Sequence, residues 1–259
     1  MAYVDGPSPI ALAHRGGGLL APENTLRAFA ASVALGYCYL ETDVRATADG
    51  ALVCFHDRTL ERTTGARGAL ADRTLSQVRE LRVGGEPIAT LHEALHEFGD
   101  TYFSVDLKTR ESLPPLIELL TAHPGFAQRV CVAGAWDGWL RTLREAVPGV
   151  ATALGWRALF GLITASGAGA AMPWWVRGAP FAHVPVRLGG RRVLSPRLVE
   201  AAHLRGIRVV TWTVDDPDEI RTVLAHGADA VVTDRPDTLR EVLIGLGSWP
   251  AMQGSSVLQ

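Results

Sequence analysis

Short apolar runs alternate with amphipathic segments along most of the chain, the pattern of strand–helix units wound around a parallel sheet. Eight runs read as strands: Ile10–Ala13, Tyr39–Val44, Tyr102–Leu107, Val130–Ala133, Val150–Leu154, Phe181–Val184, Ile207–Trp212 and Ala230–Thr233. Most are rich in Val, Ile, Leu, Ala or aromatic residues, as strands buried on both faces should be. The fifth and sixth fit the pattern least well.

Helices are expected after nearly every strand. Asn24 stands where it would cap Thr25–Leu35, with Gly36 closing that helix, and Pro114 starts a run to Ala122. Asp137 precedes Gly138–Ala146, Ser195-Pro196 opens a helix to Arg205, and Asp216-Pro217 opens one to His226. A ninth strand-like piece, Ala51–Phe55, follows the turn signal Asp49-Gly50 and precedes helices at Leu75–Leu81 and Leu91–Phe98. No Gly/Ser- or Pro-rich linker divides the chain, so eight units in this length predict one (β/α)8 barrel over residues 1–247, with a small extra hairpin after the second strand. Residues 248–259 read as a flexible tail.

Composition narrows the field. The chain is 47% hydrophobic and 20% charged, ample for a packed core and wrong for disorder. Its 25 basic and 27 acidic residues give a net charge of −2, with no basic excess to bind nucleic acid by counterion release. Lys108 is the single lysine among those basic residues. Cys38, Cys54 and Cys131 show no Cys-x-x-Cys spacing, which predicts neither a disulfide framework nor a zinc cluster and fits a reducing cytoplasm. Met1–Pro9 lacks the positive and apolar regions of a secretory signal. Ala158–Val176 is the most apolar stretch, but Gly, Ser, Thr and Pro173 interrupt it, so no transmembrane segment is expected.

In such a barrel, chemistry gathers where the strands finish. The first strand ends in His14-Arg15-Gly16, the second contains Glu41 and Asp43, the hairpin piece ends in His56-Asp57, and the third ends in Asp106 and Lys108. Glu41 and Asp43 are two apart, so both point to one side of their strand. Two inward carboxylates repel unless a cation sits between them. With Asp106 as a third oxygen donor the set suits a hard ion, Mg²⁺ or Ca²⁺; zinc is disfavoured, though the two histidines keep it open. The alternative is that the pair accepts salt bridges from Arg15, Arg45 or Lys108. His14 and His56 end apolar strands, and paired imidazoles beside a metal-bound phosphate can serve as general base and acid. His92, His96, His123, His203 and His226 fall in or beside helices and read as surface or packing residues.

The same residues form a longer series. His14-Arg15-Gly16, Pro22-Glu23-Asn24-Thr25, Glu41-Thr42-Asp43-Val44 and His56-Asp57-Arg58-Thr59-Leu60 resemble the glycerophosphodiester phosphodiesterase family in order. Asp106-Leu107-Lys108, Trp212-Thr213-Val214-Asp215 and Thr233-Asp234-Arg235-Pro236 continue the resemblance. It implies a metal-dependent hydrolase that releases sn-glycerol 3-phosphate and an alcohol. Carried over, Glu41, Asp43 and Asp106 would hold the ion, His14 would act as base and His56 as leaving-group acid, and Arg15 and Lys108 would grip the phosphate. Glu23 and Asn24 would shape the mouth, Asn24 being equally readable as a helix cap. Trp212 would face the glycerol portion or else pack inside the barrel. The nucleophile would be the substrate's own adjacent hydroxyl, giving a cyclic phosphate, or water.

This chain has Asp106 where the family usually has Glu, which leaves metal preference open. Gly16 to Gly18 after His14 permit close approach to a ligand or make a turn. Trp174 and Trp175 would form a lid or a patch touching lipid headgroups, or a poorly ordered barrel connection. Two competing functions follow: a lysophospholipase D-like hydrolase, and a catalytically silent barrel that binds phosphodiesters.

Overall fold

The computed structural model describes residues 2–249. Eight parallel strands form the central sheet: β1 (Ile10–Ala13), β2 (Tyr39–Ala46), β3 (Tyr102–Leu107), β4 (Val130–Gly134), β5 (Ala151–Thr152), β6 (Phe181–Pro185), β7 (Arg208–Trp212) and β8 (Ala230–Thr233). Their order is β5-β4-β3-β2-β1-β8-β7-β6. A parallel bridge between Ala153 and Phe181, with the Leu154 N–H donating to the Phe181 carbonyl at 2.8 Å, joins the two ends. The expected (β/α)8 barrel is therefore what forms.

β1, β3 and β8 begin and end where the apolar pattern places them. β5 is reduced to two paired residues. The apolar tract 158–176 begins inside a 13-residue helix, Trp156–Ala168, and Trp174 and Trp175 lie in the connection that follows it. Gly161 in that helix has a packing reason, since a Cβ there would lie 3.0 Å from Val176 Cγ2 and 3.2 Å from Trp175 Nε1. Among the described residues no helix is long and apolar enough to cross a membrane.

Alternation along the strands sorts side chains into two cores. Leu40, Val105, Val132, Val209 and Val231 face the surrounding helices. Ile10, Leu12, Phe181, Val210 and Val232 fill the barrel interior. Tyr3 seals its lower end, its ring meeting Tyr39, Tyr102 and Phe181 edge-on at 5.3, 6.2 and 5.4 Å. With that end plugged, the open end is the one where the strands finish.

The extra hairpin is present. Leu52–Cys54 pairs antiparallel with the end of β2, in register Val44 to Cys54 and Ala46 to Leu52. The segment that follows has its own apolar cluster, in which Val53, Phe55, Leu60, Leu70 and Val78 are buried. It stands on the barrel rim and carries His56. Of the expected tail, Ser248 and Trp249 are described and Trp249 packs on Tyr37, ring centroids 5.2 Å apart; the remainder lies outside the described residues.

Candidate active site

The open end holds a cavity of about 420 Å³, lined by His14, Arg15, Glu41, Asp43, His56, Asp106, Lys108 and Trp212, among others. Eight of the ten expected site residues thus meet in one place, while Glu23 and Asn24 stand behind them.

β2 and β3 supply the carboxylates. Their register pairs Glu41 with Ser104 and Asp43 with Asp106, which puts the three acids on one wall. Lys108 Nζ bridges Asp43 Oδ1 at 2.7 Å and Asp106 Oδ2 at 2.5 Å. Burial alone would lower the Lys108 pKa, but those two carboxylates overcome it and raise it. Arg15 Nε stands 3.2 Å from Asp43 Oδ2. Burial pushes Asp43 toward the neutral acid, yet Lys108 and Arg15 prevail and hold its carboxyl below the usual range.

Glu41 is less well compensated. Its Oε2 accepts from the Arg15 N–H at 2.8 Å and lies 3.9 Å from His14 Nε2. Burial, reinforced by the Asp43 charge, pushes its pKa up to about 7. Among the described residues no three His, Cys, Asp or Glu side chains form a ready-made coordination cluster, because Lys108 lies between Asp43 and Asp106. The donors still fit a hard cation in kind. All are carboxylates, and the buried Glu41 marks a place where negative charge lacks a counter-charge.

The first histidine is held by a residue that sequence reasoning did not single out for the site. His14 Nδ1 lies 2.8 Å from Asp234 Oδ1 at the end of β8, the strand beside β1. Burial would lower the His14 pKa, but the Asp234 hydrogen bond and the Glu41 charge raise it. The Thr233-Asp234 pair was visible in the sequence, and closure of the barrel is what brings it to His14. Gly16 and Gly17 turn the chain here: a Cβ on Gly16, at φ +80°, would meet Phe29 at 2.6 Å.

His56 is held from both sides. Its Nδ1 lies 2.7 Å from Asp57 Oδ1, and its carbonyl accepts from Arg45 Nε at 2.8 Å. Arg45 therefore braces His56 directly, while the Asp43 charge acts on it from a distance. Arg62 contacts Asp57 and reaches Glu23 through Nη1 at 2.8 Å and Nη2 at 2.6 Å. Glu23 also accepts from Arg15 Nη1 at 2.9 Å, so one carboxylate ties Arg15 to the rim segment that bears His56. Burial acts to raise the Glu23 pKa, but the hydrogen bonds and charges of Arg62 and Arg15 lower it.

Asn24 is not a helix cap. Thr25 takes that place, its hydroxyl accepting from the Ala28 N–H at 3.2 Å. Asn24 adopts φ +58° and turns inward, donating to Asp43 Oδ2 at 3.0 Å and accepting from Thr42 Oγ1 at 2.8 Å and the Asp43 N–H at 3.2 Å. It fixes the Asp43 carboxylate from behind. Trp212 is 38% exposed and lines the cavity rather than packing inside the barrel. The eighth histidine, His183, had no expected role, yet it lines the same cavity from β6.

Comparison with known proteins agrees with this geometry. The pattern of the glycerophosphoryl diester phosphodiesterase family matches residues 14–238. The chain belongs to this family of phosphoric diester hydrolases. It is 37% identical over 248 residues to a probable glycerophosphodiester phosphodiesterase 2 of Mycobacterium tuberculosis, covering 93% of this chain and 92% of that one. Identity to a glycerophosphodiester phosphodiesterase of Caldanaerobacter subterraneus is 29%, over 89% of this chain and 96% of that one. Among solved structures, a phosphodiesterase of Oleispira antarctica in complex with the product sn-glycerol-3-phosphate shares the fold. Its TM-score is 0.75 at 22% identity, with 92% of this chain and 97% of that one covered.

Proposed function

We propose that this family member hydrolyses glycerophosphodiesters to sn-glycerol 3-phosphate and an alcohol in a reaction that requires a divalent cation. The observation that carries the reading is the meeting of two carboxylate-backed imidazoles, two cations and three carboxylates in a single cavity. Glu41, Asp43 and Asp106 would hold Mg²⁺ or Ca²⁺, which when bound supplies Lewis-acid relief of charge on the nonbridging phosphate oxygens.

A phosphodiester anion resists attack by another electron-rich oxygen, so charge building in the transition state has to be offset. Arg15 and Lys108 do this from the protein side, each anchored by carboxylates that keep it charged and in place. Asp234 occupies His14 Nδ1 and leaves Nε2 to take the proton of the nucleophile. The carboxylates around His14 strengthen it as a base. His56, oriented by Asp57, gives a proton to the departing alkoxide. The substrate's adjacent glycerol hydroxyl is the favoured nucleophile, because an intramolecular group has a high effective molarity; it expels the alcohol to leave a cyclic phosphate, which one water then opens to glycerol 3-phosphate.

A coupled assay for glycerol 3-phosphate, with glycerophosphocholine as substrate and Mg²⁺, Ca²⁺ or chelator added, tests the whole reading. Release with metal and none with chelator is expected, together with a higher melting temperature in metal. Binding without release under every condition would make the protein a silent phosphodiester-binding barrel.

A second reading has its own observation. Trp136, Phe160 and Trp174 are 62%, 60% and 68% exposed, and the exposed Trp156 lines the cavity. Arg157 stacks over Trp175 and Arg177 over Trp174, each at 5.3 Å. Indoles interleaved with guanidinium groups suit a phospholipid surface, so a lysophospholipid is the alternative substrate and transient lipid contact the alternative partnership. Strict preference for lysophosphatidylcholine over glycerophosphocholine would establish it. The buried thiols Cys54 and Cys131, neither in a disulfide, support a cytoplasmic setting.

A further inference from the structure

His183 is a polar group of the cavity that no step above uses, and the only histidine there without a role. It sits on β6, next to β7 in register with Val210, and in the strand order β6 lies four places from β2, on the opposite side of the barrel. Its Nε2 is buried and, among the described residues, has no hydrogen-bond partner. An orphaned nitrogen in the interior is costly, because it has given up water without gaining a partner. Such a cost persists where a ligand or water completes the bond.

The chemistry around it narrows what that ligand group is. Burial pushes the His183 pKa down to about 4, so the ring is neutral at physiological pH and holds one N–H and one lone pair. A neutral imidazole is a poor clamp for phosphate and a poor donor of a proton, but it matches a hydroxyl, which both gives and accepts. Ala133, Leu154 and Val232 line the same cavity without offering a polar side chain, and the Asp106 charge acts on the ring too weakly to offset its burial. The phosphate belongs at the opposite wall, with Arg15 and Lys108. The Trp156 indole is 44% exposed at the cavity, on the open side left for the variable alcohol.

We propose that His183 is a specificity-determining residue whose Nε2 hydrogen-bonds a glycerol hydroxyl of the substrate, drawing the glycerol end inward and leaving the alcohol at the opening. This rests on the hydrolase reading above. The glycerol is then held at two points, by its phosphate on the β1–β3 wall and by a hydroxyl on β6. A phosphate ester without those hydroxyls would gain nothing from His183.

The test compares two ligands that differ by the glycerol. Calorimetric titration of the metal-loaded protein with glycerol 3-phosphate and with inorganic phosphate is run on wild type, His183→Leu, His183→Gln and His183→Asn. Gln places an amide near the position of imidazole Nε2, whereas Asn stops short of it. The expected result is at least a tenfold loss of glycerol 3-phosphate affinity in the Leu and Asn variants, threefold or less in Gln, and phosphate affinity within twofold throughout. kcat/KM for glycerophosphocholine should follow the same order. If the Leu variant does not fold, the Asn–Gln contrast carries the same decision. Unchanged glycerol 3-phosphate affinity, or a parallel fall for both ligands, overturns the assignment of His183 alone. Wild-type protein that releases no glycerol 3-phosphate under any metal condition overturns the hydrolase reading and this one with it.

Discussion

The two sides of the cavity are built on different principles. β1 to β3 and the rim hairpin bring every charged group: His14, Arg15, Glu41, Asp43, His56, Asp106 and Lys108. β4 to β6 bring Ala133, Gly134, Leu154, Trp156 and Leu159, with His183 alone as a polar side chain. On the charged side each group is held by another, as Asp43 is by Lys108, Arg15 and Asn24. Charges taken out of water persist only in such a network. On the apolar side a lone imidazole has no network, and it stays neutral. One wall is therefore equipped to change charge during a reaction and the other to recognise a shape and a hydroxyl.

The largest effect should come from the rim. His56→Ala removes a half-exposed ring on a segment with its own apolar cluster, so kcat should fall about 10²–10⁴-fold with little change in melting temperature. Asn24→Ala should do the opposite in kind. It strips a buried carboxylate, a hydroxyl and an N–H of their partners, a loss of about 1–3 kcal/mol in stability for each group left unpaired. Steady-state rates and thermal melts of both variants separate the roles. Near-normal turnover by His56→Ala at saturating metal would remove the acid from the charged wall.

The charged wall was also the legible one, for a physical reason. Period-two alternation puts Glu41 and Asp43 on one face whatever the rest of the fold does, and His14 and His56 end their strands in plain view. Asn24 misled because an Asn ahead of a helix reads as a cap. Its left-handed backbone hands the cap to Thr25 and turns the amide toward Asp43. Asp234 is far from His14 in sequence, and only barrel closure makes them neighbours. The apolar wall was obscure. β5 pairs over Ala151–Thr152 alone, and the helix after it contains Gly161, whose interior position is explained by the Trp175–Val176 segment lying against it. His183 sits on a strand of weak pattern, where nothing local says which side chains point inward.

A pH series probes that obscure wall directly. The folded-state pKa of His183, about 4, lies below its usual value of 6.5. Between these values the unfolded chain binds a proton that the folded chain refuses. The stability it contributes is complete above pH 6.5 and is lost as pH falls toward 4, by up to about 3 kcal/mol. Chemical denaturation of His183→Gln across that window should show a flatter acid limb than wild type. Superimposable limbs would mean that the ring is not excluded from charge, and the contrast between the walls would weaken.

The smallest expected effect concerns the lone lysine. With arginine at every other basic position, a site indifferent to the cation it carried would be expected to hold arginine too. Lys108 stands between two carboxylates 2.7 and 2.5 Å from its nitrogen, in the space where an ion and a phosphate would also converge. An ammonium is a compact charge with three rotatable donors, whereas a guanidinium is a wide planar fork. Lys108→Arg keeps the charge and the buried ion pairs, so the fold should survive. The fork, however, displaces whatever shares the gap between Asp43 and Asp106. One charge-assisted contact misplaced is worth about 1.5–3 kcal/mol, hence about a tenfold to hundredfold fall in kcat/KM. Part of that loss should appear as weaker metal dependence of the melting temperature. Full activity with an unchanged metal response would show that the charged wall needs only a cation at this point, of either shape.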